Sequence, residues 1–83
     1  MEQKSCMRVY LAQARERRGL SMRKTAMLAG ITYQHYAMVE YGQKGARISF
    51  RTMCKIADVL NLSLDVVKNY EEKYQEDLGN QDY

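Results

Sequence analysis

The sequence predicts an all-α domain, on three observations. No proline occurs in the 83 residues. No stretch sustains the apolar–polar alternation of a half-buried strand. Apolar residues instead recur at intervals of three and four, and glycine, serine or threonine punctuates them where helices would start and stop. The length fits one domain, and 46% hydrophobic with 28% charged residues is a globular composition. A core of this size is small, so a partner subunit would add stability.

The first helix is expected from about Ser5 to Arg18, with Met7, Leu11 and Ala14 inward and Gly19 as its stop. Ser21 caps a second helix, Met22 to about Ala29, with Thr25, Ala26 and Leu28 on its inner face. Gly30 ends it, Ile31 follows as an apolar plug, and Thr32 caps a third helix, Tyr33 to Tyr41. Tyr36 and Val39 face inward there, and Gly42 is the stop. A polar loop, QKGARI, leads to Ser49, which caps a fourth helix from Phe50 to Leu60. Phe50, Met53, Cys54, Ala57 and Leu60 follow its inner stripe. Asn61 breaks the pattern. Ser63 caps a fifth helix from Leu64, with Asp65 near its positive end, running to about Tyr74 or beyond. The domain is expected over 1–76, followed by a short acidic tail over 77–83, whose last residues, LGNQDY, look frayed.

The charge is unevenly spread. Residues 1–51 hold ten Lys/Arg against three Glu, and residues 52–83 hold three Lys against seven acids. A basic front and an acidic back suit a polyanion at one face only. No apolar run reaches the roughly 18–20 residues that span a membrane. The charged first twenty residues do not read as a secretory signal. Cys6 and Cys54 have neither metal-ligand nor redox-motif spacing, so they read as reduced thiols of a cytoplasmic protein, Cys54 in the core. His35 is the lone histidine and has no ligand partners at metal spacing. There is no phosphate loop, and no nucleophile with its base. No catalytic residue, metal or cofactor is therefore expected.

Two helices joined by a short turn containing glycine form the helix-turn-helix unit. The second helix of such a unit inserts its N-terminal residues into the DNA major groove. That explains why the third helix opens on Tyr33, Gln34 and His35 rather than on apolar residues. The amide of Gln34 can donate to and accept from an adenine edge, and Met38 can touch a thymine methyl. Arg23 and Lys24 open the second helix, which crosses the DNA backbone in this motif, so both are phosphate candidates. Lys44 and Arg47 in the loop are others. Arg51 opens the fourth helix, where a cation opposes the helix dipole and so points to an anionic partner.

At these residues the chain resembles the lambda-repressor-like, Cro/XRE-type helix-turn-helix proteins. The resemblance rests on RERRGLS at 15–21, Ala26 followed by Gly30-Ile31-Thr32, Val39-Glu40 followed by Gly42, and IADVLNLSLD at 56–65. It covers roughly residues 8–67. It implies a five-helix bundle that binds operator DNA, usually as a symmetric dimer, and controls transcription in a bacterium or phage. Tyr33, Gln34 and Met38 match base-contacting positions, and Thr32 and His35 fall beside the backbone or groove edge. Arg15 and Glu40 match a structural ion pair. Met22 stands where a glutamine usually touches phosphate and braces the first reader, a departure that weakens that contact. Tyr36 replaces the usual β-branched aliphatic.

On the fifth helix, Val66, Tyr70, Tyr74 and Leu78 stand at four-residue steps. Tyrosine is enriched at interfaces, so this stripe reads as the surface of a homodimer. The leading function is a repressor that binds an inverted repeat of double-stranded DNA. The alternative is an antitoxin-like or other protein-interaction module that also binds DNA. A regulatory protein partner fits either.

Overall fold

A computed structural model describes residues 7–42 and 48–80, with side chains up to 76. Cys6, Lys44 and Arg47 lie outside the described residues, as does the side chain of Leu78. The described residues form five helices: α1 (Val9–Arg17), α2 (Met22–Ala29), α3 (Tyr33–Tyr41), α4 (Phe50–Leu60) and α5 (Leu64–Asn80).

The starts of α2 to α5 follow from hydroxyl caps. Ser21 Oγ accepts the Lys24 N–H at 3.0 Å, and Thr32 Oγ1 accepts that of His35 at 3.0 Å. Ser49 accepts from Thr52 at 3.1 Å and Ser63 from Val66 at 3.2 Å. Each cap satisfies an N–H that has no partner inside its own helix.

Three helix ends share one device. The N–H groups of Leu20, Ile31 and Leu62 reach back five residues to the carbonyls of Arg15, Ala26 and Ala57, at 3.1, 3.0 and 2.9 Å. The three donors are apolar, and all three pack against the core. Such a closure needs a left-handed residue one step earlier. Gly30 supplies it at φ 73°, and Asn61 at φ 59° does so without being glycine. Asparagine tolerates this region better than other side chains.

The core gathers Tyr10, Leu11 and Ala14 of α1, Ala26 and Ala29 of α2, Tyr36 and Val39 of α3, and Ile56 and Leu60 of α4. α2 packs chiefly on α3 and α4. Met53, Ala57 and Val67 form a second cluster between α4 and α5.

Several expectations need correction. Helix α1 starts at Val9, not near Ser5, because Arg8 leaves helical geometry at φ −83°, ψ 81° and its N–H bonds the Glu40 carbonyl at 2.8 Å. Leu28 is half-exposed, and Ala29 is buried in its stead. The close crossing of α2 admits only the small face of Thr25, Ala26 and Ala29. Phe50, the first residue of α4, is 75% exposed, and the inner stripe instead includes Ile56. Cys54 is a half-buried free thiol. Helix α5 ends at Asn80, which agrees with the expected extension to Tyr74 or beyond.

A Cβ at Gly30 would meet no atom within 4 Å, so its φ alone sets the cost of substitution. Gly30→Ala should destabilise by about 1–2 kcal/mol, the cost of a left-handed residue with a Cβ. Gly30→Asn should lose less. Urea unfolding midpoints check both, and equal losses would mean that sterics, not φ, govern the turn.

Candidate nucleic-acid interface

Helix α3 has two unlike faces. Its inner face carries Tyr36, Val39 and Glu40, all buried. Glu40 is 1% exposed, and a buried carboxylate is tolerated only when paired and hydrogen-bonded. Arg15 of α1 meets it with a fork, Nε to Oε1 at 3.0 Å and Nη2 to Oε2 at 3.1 Å. The Tyr36 hydroxyl donates to Oε1 at 2.6 Å. The remaining Arg15 Nη1 donates to the Leu20 carbonyl at 3.0 Å, in the turn before α2. The expected Arg15–Glu40 pairing is thus present, and the aromatic at position 36 has a use for its hydroxyl that an aliphatic would lack. The Glu40 hydrogen bond pushes the Arg15 pKa up. Burial, and then Glu40, push the Tyr36 phenol well above its ordinary value.

A second buried cation was not anticipated. Arg8 is 1% exposed, directly before α1. Its Nη1 donates to the Val39 carbonyl at 2.8 Å, near the end of α3. Its Nε and Nη2 donate to both Glu71 oxygens of α5, at 2.7 and 3.1 Å. Its guanidinium also lies 4.4 Å from the centre of the Tyr74 ring. The Tyr10 hydroxyl donates to Glu71 at 2.6 Å, and the Tyr10 and Tyr70 rings stack 4.8 Å apart. The phenol of Tyr10 is raised by burial first, then by Glu71. A readable signal was present in the sequence: Val67, Glu71 and Tyr74 stand at helical spacing, and a carboxylate between two inward positions needs a cation.

The outer face of α3 carries Tyr33, Gln34, His35, Met38 and Tyr41, all exposed. Arg23 and Lys24 in the first turn of α2, and Arg51 at the start of α4, are exposed cations. Arg23 lies over the Tyr33 ring, 4.4 Å from its centre. Met22 is half-buried against the core and takes the Tyr41 hydroxyl on its sulfur at 3.6 Å. Methionine carries no donor for a phosphate.

So two short helices stand around the Gly30 turn, the second locked by its inner face and open on its outer one. A family model described as Helix-turn-helix matches residues 11–67, from α1 to the start of α5. The chain belongs to the Cro/XRE-type helix-turn-helix family. No match was found among curated proteins or among solved structures. Membership in this family makes the chain a DNA-binding transcriptional regulator. Among the described residues, no helix is long and apolar enough to cross a membrane.

The stripe on α5 of this helix-turn-helix regulator does not share one surface. Val66 is 37% and Tyr70 49% exposed, but Tyr74 is buried under Arg8. Steps of four residues advance by about 400° on a helix of 3.6 residues per turn, so each step drifts about 40°. Two steps carry Tyr74 round to the inner face beside Val67 and Glu71.

Glu40→Ala should cost about 3 kcal/mol, the low end for breaking a buried pair, because the Arg15 it leaves is only partly buried and keeps the Leu20 carbonyl. Glu16→Ala, at an exposed position of α1, should stay within about 0.5 kcal/mol. Chemical unfolding compares them, and equal small losses would remove Glu40 as an anchor.

Tyr10 and Tyr36 are neutral in the fold and have raised pKa values, whereas in the unfolded chain they ionise near 10. Their contribution to stability is therefore complete below about pH 10 and is lost as the pH rises beyond it. Alkaline titration should show these two phenols ionising only together with loss of helical circular dichroism. Ionisation of all tyrosines in the intact fold would contradict the burial.

Proposed function

We propose that the chain is a repressor that binds an inverted-repeat operator as a homodimer. The supporting observation is the exposed row of Tyr33, Gln34, His35 and Met38 on a helix whose opposite face is anchored by buried ion pairing. In this reading the start of α3 enters the major groove, as second helices of the motif do. Gln34 reads an adenine edge and Met38 a thymine methyl. Thr32 and His35 lie at the groove edge. Lys24 and Arg51, with Lys44 and Arg47 from the 43–47 segment, neutralise phosphates. Two copies joined through α5, at Val66 and Tyr70, set two α3 helices one DNA turn apart, about 34 Å. Repression follows from occupying the site where polymerase would bind.

Selection of bound sites from random duplex DNA at about 150 mM salt, near physiological screening, tests this. The expected product is a palindrome with half-sites about ten base pairs apart. A lone half-site would remove the dimer. On that operator, Gln34→Ala should weaken binding by about 1–3 kcal/mol per half-site and leave binding to scrambled duplex nearly unchanged. Equal losses on both duplexes would show that Gln34 is no reader.

A further inference from the structure

Arg23 and Lys24 are neighbouring exposed cations in the first turn of α2, and the sequence treats them alike. The structure separates them. The Arg23 guanidinium carbon lies 4.4 Å from the centre of the Tyr33 ring. Tyr33 is the first residue of α3 and is 37% exposed, so this contact spans the two helices on their outer side.

A guanidinium stacked on an aromatic ring loses rotamer freedom but keeps its hydrogen-bonding capacity. The ring takes one flat face, and the N–H bonds radiate from the edge of the guanidinium plane. Two parallel N–H bonds then match the O6 and N7 acceptors of guanine in the major groove, the commonest specific contact of arginine. A phosphate asks less. It can take the same fork or a point charge such as Lys24 offers, so what favours a base for Arg23 is that the ring ties its guanidinium to α3, the helix proposed to enter the groove.

We infer that Arg23 is a base reader specific for guanine, and that Tyr33 is its positioning residue. The inference rests on the groove-reading role proposed for α3. The Tyr33 ring sets the height and direction of the guanidinium, and the hydroxyl of Tyr33 is not needed for that. Both side chains are exposed, so substitution leaves the core and its ion pairs in place.

The test is the same selection from random duplexes, run on the full chain and on Arg23→Ala, Arg23→Lys, Tyr33→Phe, Tyr33→Leu and Lys24→Ala. Circular dichroism and thermal unfolding confirm that each variant folds. The wild-type consensus should hold one guanine per half-site whose preference falls about tenfold or more in Arg23→Ala, the range for losing a bidentate base contact. Arg23→Lys should weaken that preference, since an ammonium can reach guanine but has no planar fork for the Tyr33 ring to hold. Tyr33→Phe should keep the guanine, and Tyr33→Leu should relax that same position. Lys24→Ala should lower affinity evenly for all sequences and reduce the salt slope by about 0.9 per half-site, about 1.8 for the dimer. If Arg23→Ala behaves like Lys24→Ala, with an unchanged consensus, Arg23 is a phosphate contact and the inference is overturned while groove reading by α3 stands. If the wild-type chain enriches no sequence at all, both readings are overturned together.

Discussion

The carboxylate of Glu40 accepts both arms of the Arg15 fork and the Tyr36 hydroxyl, while being 1% exposed. A nine-residue helix such as α3 does not hold its shape alone in water. Tyr36 and Val39 are its only buried apolar residues, and two apolar anchors define a depth better than an angle. The fork defines the angle, because rotating α3 by one residue swings Glu40 about 100° away from Arg15. An uncompensated buried charge is expensive, so competing orientations are disfavoured more strongly than packing alone would achieve. The same arginine also holds the Leu20 carbonyl, so the turn before α2 is tied into the arrangement.

A second polar cluster extends this anchorage. Arg8 bonds the Val39 carbonyl on one side and Glu71 on the other, and its own N–H meets the Glu40 carbonyl. The carbonyls of Val39 and Glu40, in the last turn of α3, are therefore met from the segment before α1. Arg8, Glu71 and Tyr74 all lie outside the stretch matched by the family model. The motif common to the family thus sits inside a clasp formed by residues at the two flanks. Glu71 counts as acidic surface in any tally of charge, yet here it neutralises a buried cation.

The fold class and the bounds of α2, α3 and α4 were legible because they depend on neighbours in the chain. Ser21, Thr32 and Ser49 cap residues three positions on, and Gly30 and Gly42 close turns whose geometry is local. The Arg15–Glu40 pair was legible through family resemblance, since nothing in the spacing of 15 and 40 announces a contact. The Arg8–Glu71 pair joins residues 63 positions apart and begins with an arginine that looked like ordinary surface. Leu28 and Phe50 both misled, and for different reasons. Both fit an apolar stripe, but the close crossing of α2 excludes a large side chain and the first turn of α4 opens outward. Arg23 on Tyr33 was illegible for a related reason: which neighbour of Met22 faces α3 depends on the crossing angle of two helices. Of the outer face of α3, the exposure of Gln34 and Met38 was foreseeable, because they lie opposite the stripe through Tyr36 and Val39; Tyr33, three residues from Tyr36, and His35, four from Val39, are on its flanks, where spacing does not decide.

The division of α3 into an anchored face and an open face has an evolutionary consequence. Positions 36, 39 and 40 answer to the fold, whereas 33, 34, 35 and 38 answer to whatever lies opposite them. Because these two sets do not overlap, a lineage could exchange its outer residues for others without passing through an unstable intermediate. A duplicated copy could then acquire a different outer surface while inheriting its scaffold intact.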